Sequence, residues 1–77
     1  MSKTTYTVAI ASATQFTVYN ATSMANIITI TCRGEIVGSP NISQDVATVT
    51  IKDSTGKHYM SSYRIPSGSL ICTIPVN

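Results

Sequence analysis

The chain has no tryptophan, a single phenylalanine and very little charge. Lys, Arg, Asp and Glu together make up 10% of its 77 residues, against about 25% in an ordinary soluble domain. The shortage of charge, with so many β-branched residues, excludes intrinsic disorder. A net charge of +2 is too small to steer the chain onto nucleic acid or an acidic membrane. No apolar run approaches the length that crosses a bilayer. The opening MSKTTYTVAIASATQ is a threonine-broken alternation, without the continuous apolar core of a secretory signal. A protein made in the cytoplasm and staying soluble is expected, either free or inside a larger particle. The two cysteines, Cys32 and Cys72, match neither a zinc site nor a CxxC redox motif. No metal and no cofactor are expected.

What fills the chain instead is hydroxyl: ten Ser and twelve Thr. With Val and Ile they favour strands, because branching at Cβ suits the extended backbone. At this length one domain, residues 1–77, is the limit. A chain so small buries only about 60% of its unfolded surface, so a neighbouring subunit is a common source of added stability. A surface rich in hydroxyls and poor in ions also docks on another protein with few charges to desolvate.

Apolar residues recur at a spacing of two. Tyr6, Val8 and Ile10 share one face, as do Phe16 and Val18. Ile28, Ile30 and Cys32 share another, and Gly34 then marks a bulge or tight bend. Residues 38–41, GSPN, read as a loop. Ala47, Val49 and Ile51 follow on one face, DSTG at 53–56 reads as a hairpin turn, and Tyr59, Ser61, Tyr63 and Ile65 return as a face of the partner strand. After PSG at 66–68, Leu70, Cys72, Ile74 and Val76 form the core-facing side of the last strand. Cys32 and Cys72 are therefore both expected in the core, as buried thiols or as a pair facing each other. No segment carries a helical repeat. Turns every 8 to 12 residues predict an all-β fold: a small sandwich or barrel of six or seven antiparallel strands.

Five of the nine titratable Lys, Arg, Asp, Glu and His residues, namely Lys52, Asp53, Lys57, His58 and Arg64, lie within residues 51–65. A catalytic reading makes His58 a base, Asp53 its partner and Ser61 or Ser62 the nucleophile. The spacing supports it poorly, since Asp53 sits in the turn. A nucleic-acid reading uses Lys52, Lys57, His58 and Arg64, with Tyr59 and Tyr63 for stacking. Four such groups are a weak footprint. The simplest account is a solvated hairpin whose charges cluster because turns are exposed. A protein contact anchored by Tyr59, Tyr63 and Arg64 is the partner-binding alternative, since Tyr and Arg are enriched at interfaces. No catalytic site is expected.

The segment ATVTIKDSTGKHY, residues 47–59, resembles the hairpins of bacterial and phage immunoglobulin-like domains, in which a Val/Thr strand runs into D-x-x-G. The Ser/Thr-rich, low-charge texture resembles that of small β subunits of tailed-phage particles. The resemblance implies a non-enzymatic virion protein that decorates and stabilises a capsid. Its partners would be the major capsid protein or another virion protein, and further copies of itself in a homo-oligomer such as a trimer. No nucleic acid and no membrane would be bound. The competing expectation is a recognition module that binds a glycan or host protein through its loops, with Tyr19, Asn20, Tyr59 and Tyr63 as contacts.

Overall fold

A computed structural model describes residues 4–76, and in it the alternations become seven antiparallel strands with no helix among the described residues. These are β1 (Tyr6–Ser12), β2 (Gln15–Asn20), β3 (Asn26–Thr31), β4 (Glu35–Ser43), β5 (Val46–Lys52), β6 (His58–Arg64) and β7 (Leu70–Pro75). They form a three-stranded sheet, β1-β2-β3, and a four-stranded sheet, β4-β5-β6-β7. The result is a small β-sandwich, as the periodicity predicts. Each strand pairs only with its sequence neighbours.

Alternation decides which side chains meet between the sheets. Phe16, Val18, Ile30 and Cys32 come from the first sheet, and Ala47, Val49, Ile51, Tyr63 and Ile65 from the second or its border. The rings of Phe16 and Tyr63 meet edge to face across the gap, with centroids 6.3 Å apart and planes at 67°, the geometry their quadrupoles favour. The two buried hydroxyl residues are partnered. Thr17 Oγ1 lies 2.9 Å from Thr29 Oγ1, and Ser61 Oγ lies 3.1 Å from Thr73 Oγ1.

The chain changes sheets once, at residues 32–34. The Cys32 N–H donates to the Thr14 carbonyl at 2.7 Å, and the Ile36 N–H to the Ala13 carbonyl at 2.8 Å. Gly34 makes the bend, and a Cβ there would lie 2.7 Å from the Lys52 carbonyl oxygen. A glycine is required because backbone fills the space a side chain needs.

Two expectations are corrected. Residues 38–41 are not a loop: they lie within β4, where the pairing jumps from Val37↔Thr50 to Asn41↔Thr48. An edge strand tolerates Gly38 and Pro40 at such a bulge, because residues 38–40 have no ladder partner to which a donor would be owed. Nor does Cys72 point into the core: it is exposed, Cys32 is buried, and both thiols are free. A register shift after Ser62 sets Leu70 opposite Tyr63 but Cys72 opposite Ser62. Leu70, Thr73 and Pro75 thus take the inner side, and Cys72 and Ile74 the outer. Even the inner side is uncovered. β1 lies against β4, where the Tyr6 hydroxyl donates to Asp45 Oδ1 at 3.2 Å. From there three strands span β4, β5 and β6 and stop short of β7, whose six residues are all exposed.

Val49, 1% exposed, stands under this core. Val49→Ala should cost about 1–3 kcal/mol through lost burial and the cavity left behind. Lys57→Ala and His58→Ala should each change stability by no more than about 0.5 kcal/mol. Urea melts of the three variants rank them. A His58→Ala loss equal to that of Val49→Ala would make His58 a structural residue.

Candidate functional site

The charged segment is a hairpin tip, and Asp53 organises it. The Asp53 N–H donates to the Lys57 carbonyl at 2.9 Å, and the Gly56 N–H to the Asp53 carbonyl at 3.0 Å. Asp53 Oδ1 accepts from the Thr55 hydroxyl at 2.6 Å, the Thr55 N–H at 2.9 Å and the Lys57 N–H at 3.0 Å. Gly56 supplies the positive φ, +88°. The Thr55 hydroxyl, followed by the backbone donors of Lys57 and Thr55, holds the Asp53 carboxyl below the usual carboxylate range. A depressed pKa means the stabilisation is full above the unfolded-state value and is lost as pH falls through the folded one. Urea melts between about pH 6 and pH 2 should therefore show a decline that Asp53→Asn reduces. Equal declines in both proteins would refute this.

With its carboxylate committed to the turn, Asp53 is not the partner of His58. Ser61 points inward onto Thr73, whereas His58 and Ser62 alternate onto the outer side of β6. Lys52 pairs with Glu35 at 3.5 Å, and Lys57 Nζ sits 5.7 Å from the centre of the Tyr59 ring. Arg64 is exposed at the far end of β6, Tyr59 is half-buried and Tyr63 is in the core. The three residues expected to anchor a partner do not share one surface, because Tyr59 and Tyr63 turn inward and Arg64 outward. Burial, then the neighbouring Cys32, pushes the Tyr63 phenol up, and burial pushes the Cys32 thiol up. Neither is poised as a reactive group. A depression of about 550 Å³ over Arg33, Glu35, Lys52 and Asp53 mixes both signs of charge and favours neither anion nor cation. No cluster of metal-ligating side chains occurs among the described residues.

What stands out is β7 and the sheet beside it. On the outer face the ladder aligns residues in rows. One row is Val37–Thr50–Met60–Ile74, and the next is Asn41–Thr48–Ser62–Cys72. Neither row contains a charge. Val37, Met60, Ile74 and the adjoining Val76 are 39%, 37%, 53% and 37% exposed. Charge lies only at the ends of this face: Glu35, Lys52 and His58 at one, Arg64 at the other. One pair on this face, Thr48 and Ser62, lies at 3.5 Å between hydroxyl oxygens; on the outer face of the three-stranded sheet the Thr17–Thr29 and Gln15–Thr31 hydrogen bonds are shorter, 2.9 and 3.0 Å.

On the inner side, Leu70 and Thr73 of β7 border a groove of about 230 Å³ whose other bank is Thr31 and Arg33 and whose floor includes Tyr63 and Ile51. This is the space a fourth strand of the first sheet would occupy. The free edge of β7 itself is blunted. Because the Val76 N–H donates to the His58 carbonyl at 3.0 Å, Thr73 and Pro75 turn their backbone groups outward, and Pro75 has no N–H to offer an added strand. Sequence reasoning missed this region by assigning β7 to the core. The usable signal was LICTIPV, a charge-free run with apolar residues on both sides of the strand, the pattern of a strand covered on both faces.

Fold and surface together define a small two-sheet antiparallel β protein with an uncovered, uncharged last strand. No protein-family model, curated protein or solved structure matches the chain.

Proposed function

We propose that the chain is a non-enzymatic structural subunit of an assembled particle, a capsid-decorating protein of a tailed phage. The observation that carries this reading is β7: all six residues are exposed, yet its composition is that of a buried strand. A monomer gains nothing from keeping Leu70, Ile71 and Ile74 in water, at 53%, 45% and 53% exposure, whereas burial against a partner returns about 25 cal/mol per Å² of apolar area. The two-sheet layering is that of the immunoglobulin-like resemblance of residues 47–59, although the strand order, sequential in each sheet, lacks the Greek-key crossings of that fold. Binding the assembled shell in preference to its free subunits would stabilise the shell by mass action. The groove between β3 and β7 is the side offered to the shell, with Arg33 on its bank.

Particles purified from a lysate in which the chain is made provide the test. Co-sedimentation at a fixed ratio to the major shell protein is expected, with shells lacking the chain disrupted at lower temperature. Recovery of the chain only in the free fraction would overturn the proposal.

A further inference from the structure

We infer that the outer face of the four-stranded sheet packs against the same face of a second copy of this chain, forming a two-fold dimer. The proposal deepens the structural-subunit reading by assigning one side of β7 to self-association, which leaves the groove beside β3 free.

The chemistry of the face selects its own copy. Its two middle rows, Val37–Thr50–Met60–Ile74 and Asn41–Thr48–Ser62–Cys72, hold methyl groups, hydroxyls, one amide and one thiol. A hydroxyl both donates and accepts, so a hydroxyl-bearing surface satisfies itself without a complementary partner. A charged surface placed here would lose its hydration with no counter-charge in return. The ends disfavour one orientation. Packing with like ends together would set Lys52 and His58 against their own counterparts. With ends reversed, the Arg64 end of one copy approaches the 3.5 Å Glu35–Lys52 ion pair of the other, so the ends contribute little and the uncharged rows between them carry the contact.

The area is adequate and sets the strength. The molecule measures 43 × 22 × 18 Å. Four strands about 4.8 Å apart and some seven residues long make a face of roughly 500 Å². Two such faces total about 1,000 Å², the lower limit for a specific interface. The dimer is therefore reversible and concentration-dependent. Because the same face is used by both copies, assembly through it closes at two.

Sedimentation equilibrium over a range of concentrations should show a shift from 8.2 kDa to twice that mass. Met60→Lys, at a position already 37% exposed, should raise the dissociation constant at least about tenfold while leaving the dilute urea melt unchanged. Ala9→Lys, on the outer face of the other sheet, should leave the dimer intact. Cys72 supplies an independent readout. Its maleimide labelling should slow as wild-type concentration rises, but not for Met60→Lys, while Cys32 stays buried and silent. A wild-type chain that is monomeric throughout, a trimer, or a dimer indifferent to Met60→Lys would each overturn the inference. A monomer that still co-sediments with particles would overturn this inference alone. A dimer that never joins them would overturn only the particle reading.

Discussion

Phe16→Ala should cost the fold about 3–5 kcal/mol, a large share of its stability. Phe16 is 0% exposed and sits on β2, the central strand of the three-stranded sheet. Its ring reaches across to Tyr63, 6.3 Å between centroids, and so joins the two layers. Truncating a buried phenylalanine costs about 3–5 kcal/mol, transfer and cavity combined. A domain typically holds about 0.05–0.15 kcal/mol per residue, which is roughly 4–12 kcal/mol over a chain of 77 residues. The chain has no second phenylalanine and no tryptophan with which to refill the space. Far-ultraviolet circular dichroism and a urea melt report the outcome. A loss no larger than that of Val49→Ala would mean that the layers close over the cavity and that Phe16 is not the main link between them.

Gly68→Val should be the more damaging of two valine substitutions at the positive-φ turn glycines Gly56 and Gly68, at about 3 kcal/mol. Gly68 has φ of +78°, and a Cβ there would lie 2.5 Å from Cδ1 of Ile28. Its own N–H donates to the Arg64 carbonyl at 2.7 Å, so the turn resists moving away. A β-branched residue at positive φ costs about 1–3 kcal/mol, and displacing the flexible end of Ile28 adds about 1 kcal/mol more. Gly56→Val is the matched comparison. Its φ is +88°, but nothing lies within 4 Å of the Cβ position, so only the backbone term applies. The difference between the two urea midpoints isolates the contact with β3. Equal losses would mean that Ile28 rotates aside freely, and that the β6–β7 turn is not pressed onto the first sheet.

Most of the fold was legible as period-two alternation. Ala47, Val49 and Ile51 do line one buried face, and the DSTG turn contains its own capping carboxylate and glycine. The alternation of Tyr59, Ser61, Tyr63 and Ile65 also reads correctly as an inward side. Treating Tyr59 and Tyr63 as exposed anchors overlooked that reading. Two features were not legible. Gly and Pro at 38–41 signal a break in pairing, but a break inside an edge strand looks the same as a loop between strands. In β7 the alternation names the faces of the strand, yet says nothing of what lies above them. That depends on the count of strands in the opposite sheet, three against four, which no local pattern encodes. The register shift beside Tyr63 moved Cys72 to the other face for the same reason: local spacing cannot reveal a residue inserted into the ladder.

The order of strands bears on how fast this chain reaches its native state. Every ladder joins consecutive strands, so each closes only a short stretch of backbone, and the entropy lost per closure is small. Sandwiches whose strands cross between sheets must close long loops before any pairing rewards them, and they fold slowly as a result. Here each half is a meander that can zip from its turns, the Asp53 hairpin among them. The only event spanning a long separation is the docking of two finished halves about the bend at Gly34. Refolding at the fast end of the all-β range follows, with that docking as the barrier. Substitutions at the Phe16–Tyr63 contact would slow it, and substitutions on the exposed faces of β7, which pairs with β6 but is not covered by the other sheet, would leave the rate unchanged.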